Sequence, residues 1–225
     1  DASQGYACVA EYNGGLQVVD VTIPTAPVFI GSQATASNAR DVTMSGLTAY
    51  VAAGTAGLEI YAVYIHKDPE FLGSLDTIGV TYGIVLKDDR AYLADYVLGV
   101  QEIDLSNVAT PRLVNTIDTQ GSSRALGLFG PYVMVADYAS GLQAVKMRTP
   151  TSPVVIDHQK GNRVLNTIVD GDRAYFAADH RGFKPGELFL PYSMSFNFLF
   201  EDHFENDVWR AEDFAVQGPH LFVVD

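Results

Sequence analysis

The chain has 225 residues, 48% of them hydrophobic, a formal net charge of −13 and a single cysteine. Nucleic acid and anionic membrane surfaces are disfavoured as partners, because an excess of carboxylates repels both. One cysteine excludes an internal disulfide, and no apolar run approaches the roughly 20 residues of a membrane helix.

The predicted elements follow a fixed step. Pro27, Pro69, Pro111 and Pro153 stand 42 residues apart, as do Gly15, Gly57, Gly99 and Gly141. An acidic position keeps the same step at Glu11, Asp95 and Asp137 and reaches Asp179, with Ala53 in its one gap. Such a period marks units that cannot bury their apolar faces alone.

In chain order, Tyr6–Ala10 reads as a second strand, so the first unit is expected to lack its own first strand. The next unit reads as Asp41–Met44, Ala49–Ala53, Leu58–Val63 and Phe71–Leu75, separated by Gly, Pro, Asp and Ser clusters. Tyr82–Leu86, Ala91–Asp95, Val100–Leu105 and Arg112–Asp118 repeat the plan. Ala125–Phe129, Tyr132–Asp137, Leu142–Met147 and Val154–His158 repeat it again. The fifth unit departs from it, with an enlarged turn at Arg181–Glu187 and an aromatic strand carrying Phe196, Phe198 and Phe200. An acidic segment, Glu201–Asp207, follows, and Leu221–Asp225 reads as another second strand.

No sustained 3.6-residue period occurs, so the fold class is all-β. Four antiparallel strands in about 42 residues describe a β-propeller blade. The whole of 1–225 is expected to form one propeller domain of about five visible blades. Both ends read as the same strand type, which favours part of a ring of about six to eight blades over a closed five-bladed ring.

Gly15-Leu16-Gln17-Val18-Val19-Asp20-Val21, followed by Pro24-Thr25-Ala26-Pro27, resembles the LVIVD repeat of bacterial and archaeal surface proteins. Gly99-Val100-Gln101-Glu102-Ile103-Asp104-Leu105 with Pro111 is similar, and further copies lie at Gly57–Ile60 and Gly141–Val145. The motif's aspartate is replaced by Tyr61 and Lys146 in two copies. The resemblance implies a propeller and a cell-surface or secreted setting, with the periplasm as an alternative. It implies no shared catalytic chemistry, so no catalytic residue is carried over.

Three groups of residues are candidates for function. The recurrent acidic position could form a cation-binding ring, but a residue repeated once per blade is expected to hold its own hairpin turn. The lead-in to each first strand varies on a constant frame, which is where specificity resides. Arg40, Asp41, Tyr82, Arg124, Arg210 and Asp213 are therefore the expected ligand-binding residues. The competing role for these arginines is pairing with neighbouring carboxylates. Glu201–Asp207 offers oxygen ligands for Ca²⁺ without the spacing of a calcium loop, so a solvated turn is expected. The five histidines lack zinc spacing, and there is no nucleophile elbow or phosphate loop. Cys8, in an apolar strand, is expected to be a buried inert thiol.

No metal or cofactor is expected. The leading function is a non-enzymatic scaffold that binds a protein or glycan partner at the cell surface, without membrane insertion. Further propeller segments or an anchor domain of a longer chain are the other expected partners. The alternative is a hydrolase or lyase working at the channel mouth, with Asp41 and Asp213 as its carboxylate pair.

Overall fold

The computed structural model describes residues 2–64, 66–146, 154–159, 163–170, 173–178, 182–187, 213–217 and 220–224. Among these residues the regular structure is all strand. Their contacts group the chain into two units, Asp1–Thr116 and Ile117–Asp225.

The first unit holds three four-stranded antiparallel meanders. The first sheet is β1 (Ala2–Ser3), β2 (Tyr6–Glu11), β3 (Gly15–Asp20) and β4 (Val28–Gln33). The second is β5 (Asp41–Ser45), β6 (Thr48–Ala52), β7 (Leu58–Tyr64) and β8 (Lys67–Leu75). The third is β9 (Gly83–Lys87), β10 (Arg90–Ala94), β11 (Val100–Asp104) and β12 (Arg112–Ile117), whose last residue opens the second unit.

The second unit contains a further four-stranded sheet, β13 (Ala125–Phe129), β14 (Tyr132–Ala136), β15 (Leu142–Lys146) and β16 (Val154–Gln159). A three-stranded sheet follows, of β17 (Val164–Asp170), β18 (Arg173–Ala178) and β19 (Gly182–Glu187); the enlarged turn expected at Arg181–Glu187 is corrected, since Gly182–Glu187 pairs with β18 as a strand. The hairpin of β20 (Asp213–Gln217) and β21 (His220–Val224) completes the described strands. The expected aromatic strand around Phe196, Phe198 and Phe200, the acidic segment 201–207 and Arg210 lie outside the described residues.

One expectation is corrected at the start of the chain. The first sheet has its own first strand, with Ala2 opposite Ala7 and Ser3 opposite Tyr6. Gln4 and Gly5 both take positive φ (52° and 83°), the two-residue turn geometry that joins tightly twisted strands. A strand of two residues shows no alternation, so periodicity could not announce it.

The second strand of each complete sheet explains the core. On β6, Ala49 and Val51 face the first sheet, beside Cys8, Leu16 and Val18, while Tyr50 and Ala52 face the third, beside Ile84, Ala91 and Leu93. Burial on both faces selects compact apolar runs instead of alternation. Small alanines let the layers approach. Cys8 is buried as expected, and burial pushes its thiol up to about 11. The fourth strands, by contrast, carry exposed apolar residues such as Phe29, Phe71 and Leu113.

Two sequence signals have direct structural causes. Gly57 has φ 75°, and a Cβ there would overlap the Leu75 carbonyl oxygen. The motif aspartate closes strand three with a turn: Asp20 Oδ1 accepts from Thr22 N (2.8 Å) and Thr22 Oγ1 (2.6 Å), and Asp104 Oδ1 from Ser106 N (2.8 Å). Hydrogen bonds from Thr22 hold the Asp20 carboxyl below its usual range.

Ile60→Ala, at a fully buried site between sheets, is expected to cost about 2–5 kcal/mol. Phe29→Ala, at an exposed site, should change stability by about 0.5 kcal/mol or less. Urea denaturation of the two variants checks both values. Equal losses would contradict the placement of the core.

Candidate binding site at the strand lead-ins

The site begins with the turn after each second strand. Tyr12, Tyr96 and Tyr138 take φ of 23°, 45° and 44°, and Gly54 takes 54° at the same position in the second sheet. The left-handed region costs a non-glycine residue roughly 1–2 kcal/mol. An aromatic held there in three of four sheets is a strained placement of the kind that collects at functional sites.

The same turns hold the following strand. Ala39 N donates to Tyr12 O (2.9 Å), Thr81 N donates to Gly54 O (2.9 Å), and Tyr138 and Val164 exchange two bonds at 3.1 Å. The next residue then joins its own sheet: Arg40 N bonds Ala52 O (2.9 Å), Tyr82 N bonds Ala94 O (2.8 Å) and Arg124 N bonds Ala136 O (2.9 Å). This register fixes where each lead-in side chain emerges. It stands beside a turn tyrosine.

In the first unit the result is a ladder. The Arg40 guanidinium carbon lies 5.3 Å from the Tyr12 ring centroid and 4.0 Å from that of Tyr82. The Tyr82 and Tyr96 rings follow at 5.4 Å and 30°. In the second unit, the Arg124 guanidinium is 4.4 Å from the Tyr138 ring and that of Arg163 is 5.3 Å away. Each arginine–ring contact is a cation–π pair of about 0.5–1 kcal/mol when exposed, and more when desolvated.

The predicted residues separate accordingly. Arg40 and Tyr82 meet, and Arg124 occupies the equivalent position in the second unit. Asp41 instead binds backbone: its Oδ1 accepts from Val42 N (2.8 Å) and its Oδ2 from Ile84 N (2.9 Å). The Asp213 backbone pairs with Val224, and neither its side chain nor Arg210 is among the described features. Sequence reasoning missed Tyr12, Tyr96 and Tyr138 as site residues, although their step of 42 or its multiple matches that of Arg40, Tyr82 and Arg124. It also missed Arg163. A register shift between Val164 and Asn166 lets residue 163 occupy the lead-in place that strict counting gives to Asn166.

A family model for the LVIVD repeat matches residues 1–35, 36–61 and 78–119. Those three segments match LVIVD repeats, and the fold is that of a β-propeller. No curated protein is similar to it in sequence. Among solved structures, the computationally designed Ika8 protein is similar over 99% of this chain (TM-score 0.73, 10% identity), and the chain spans 66% of Ika8's length. A functionally unknown protein from Desulfotomaculum acetoxidans DSM 771 matches 87% of this chain and 68% of its own (TM-score 0.68, 13% identity). The designed Ika4 protein matches 71% of this chain and 96% of its own (TM-score 0.58, 10% identity). At these identities the likeness is one of fold.

The recurrent acidic position has a constructional role. Asp137 is fully buried. Its Oδ1 accepts from Thr119 Oγ1 (2.7 Å), its Oδ2 accepts from Gln143 Nε2, and Gly121 N also bonds it. Thr119 and Gly121 belong to the segment leading into the sheet and Gln143 to β15, not to the hairpin turn that the sequence favoured, although Ser140 of that turn also contributes. Asp95 lies buried near Thr77 and Gln101, but neither oxygen has a hydrogen bond of normal geometry. In the second sheet, where Ala53 leaves the gap, the carboxylate moves to Glu59, the counterpart of Gln101 and Gln143. Glu59 accepts from Ala36 N (3.1 and 3.3 Å) and Tyr61 Oη (2.7 Å).

Burial pushes Asp95 up to about 6 and Asp137 up to about 7, outweighing the hydrogen bonds that act in the other direction. Both groups hold their proton more tightly folded than unfolded. Their stabilising contribution is therefore full below about pH 4 and is lost as pH rises through about 6 to 7. Asp137→Asn should raise the melting temperature by about 2–6 °C at pH 8. The gain should shrink toward pH 5. Melting curves across that range check it, and a gain that grows on acidification would contradict the assignment.

Proposed function

We propose that this protein is a non-enzymatic recognition module, secreted or held at the cell surface. It binds a glycan or protein partner through the lead-in residues of its sheets. The observation that carries this reading is the Tyr12–Arg40–Tyr82–Tyr96 ladder, where variable residues on a constant frame place a cation among aromatic rings. Tyrosine and arginine together supply contact area and hydrogen bonding at low entropic cost, the composition of binding hot spots. The surface setting rests on the LVIVD resemblance, and a ring of about six to eight blades belongs to the same proposal.

The carboxylates also favour binding over catalysis. Both oxygens of Asp41 are occupied by backbone donors. Asp95 and Asp137, whose affinity for protons suits acid–base work, are fully buried and cannot meet a substrate.

Binding of the intact protein to glycan and protein arrays tests the proposal, with Tyr82→Ala and Tyr96→Gly as probes. Each variant should lose at least about tenfold in affinity, or ~1.4 kcal/mol. Tyr96→Gly should do so without losing stability, because glycine relieves the left-handed φ. Array ligands held equally well by both variants would contradict the reading, as would turnover of a bound substrate.

A further inference from the structure

We infer that the Tyr12–Arg40–Tyr82–Tyr96 ladder binds one carboxylate carried by a sugar, the terminal acidic residue of a glycan. The inference rests on the recognition reading and adds the chemistry of the ligand.

Arg40 supplies the charge. Tyr12 and Tyr82 lie against its guanidinium, whose carbon is 5.3 and 4.0 Å from their ring centroids. No described residue accepts a hydrogen bond from that guanidinium, and its Nε is buried without a partner. Among the described residues no carboxylate lies within ion-pair distance of it, in a chain with 27 acidic residues against 14 lysines and arginines. Among the described residues, the expected competing role, pairing with a neighbour, is therefore not filled at Arg40. A buried donor without an acceptor costs about 1–3 kcal/mol, and a planar carboxylate matches a guanidinium edge with two parallel bonds.

Charge selects among anions. A doubly charged phosphate or sulfate calls for several cations, whereas this ladder holds one. A polyanionic chain would also be repelled by a protein of net charge −13. A single carboxylate avoids both penalties. The tyrosines select the carrier, since Tyr12 is 50% exposed and offers a ring and a hydroxyl to a polar ligand.

Backbone hydrogen bonding disfavours the free carboxylate of a peptide. Capture of a chain terminus uses nests of open N–H groups. Here Ala39 N, Arg40 N, Thr81 N and Tyr82 N are all committed to backbone carbonyls. The available donors are on side chains.

Calorimetric titration of the intact protein tests this with methyl β-glucuronide, methyl β-glucoside and N-acetylglycine. The glucuronide should bind at least about tenfold more tightly than either of the others. Arg40→Gln should lose that preference at an unchanged melting temperature, and Arg40→Lys should retain part of it. If Arg40→Gln does not fold, Tyr12→Ala at the exposed end of the ladder should weaken glucuronide binding at least about fivefold. Absence of glucuronide binding at millimolar concentration would overturn the inference, as would equal affinity for the glucoside or preference for N-acetylglycine. Indifference to the substitutions would overturn it too. Array ligands that depend on Tyr82 and Tyr96 but not on Arg40 would refute this ligand class and leave the recognition reading standing.

Discussion

The backbone hydrogen bond between the turn of one sheet and the lead-in of the next is the constraint on which the site depends. Ala39 to Tyr12, Thr81 to Gly54 and Tyr138 with Val164 are three instances of one contact. Because it is made by backbone groups, it tolerates Ala, Thr or Val on one side and Tyr or Gly on the other. The side chain that follows it is consequently free to vary while its position stays fixed. That separation of frame from surface lets Arg40, Tyr82 and Arg124 occupy one structural place with different chemistry.

The buried carboxylates show how the frame is kept while its residues change. Asp137 with Gln143, through Thr119, and Glu59 in the second sheet, through Ala36, each bind the segment leading into their own sheet. Moving the acid from position 53 to position 59 preserves one carboxylate at that spot. The gap at Ala53 is thus a relocation, and the absence of an acid there does not leave the crossing segment unsupported. The proton affinity of Asp95 and Asp137 follows from this burial, not from a catalytic environment.

Most of the fold was legible because its causes are local. Prolines, turn glycines and compact apolar runs repeat with the sheets, and the strand boundaries expected in the second and third sheets agree within about a residue with β5–β12, except that β8 begins at Lys67 and not at Phe71. The short β1 escaped because a turn at Gln4-Gly5, and not an alternating pattern, creates it. The site was half legible. Counting by 42 found Arg40, Tyr82 and Arg124 but could not show that Asp41 turns to the Ile84 amide, a contact 43 residues away. Nor could it anticipate the register shift that brings forward Arg163, or the φ values that aim the tyrosines at the arginines.

The proposed function requires recognition at the lead-ins and not at the exposed fourth strands. Hydrogen–deuterium exchange of the protein with and without its captured partner tests this most directly. Added protection is expected at residues 38–41, 80–83 and 96–98, with β4, β8 and β12 unchanged. Protection confined to those fourth strands, where Phe29, Phe71 and Leu113 are exposed, would contradict it.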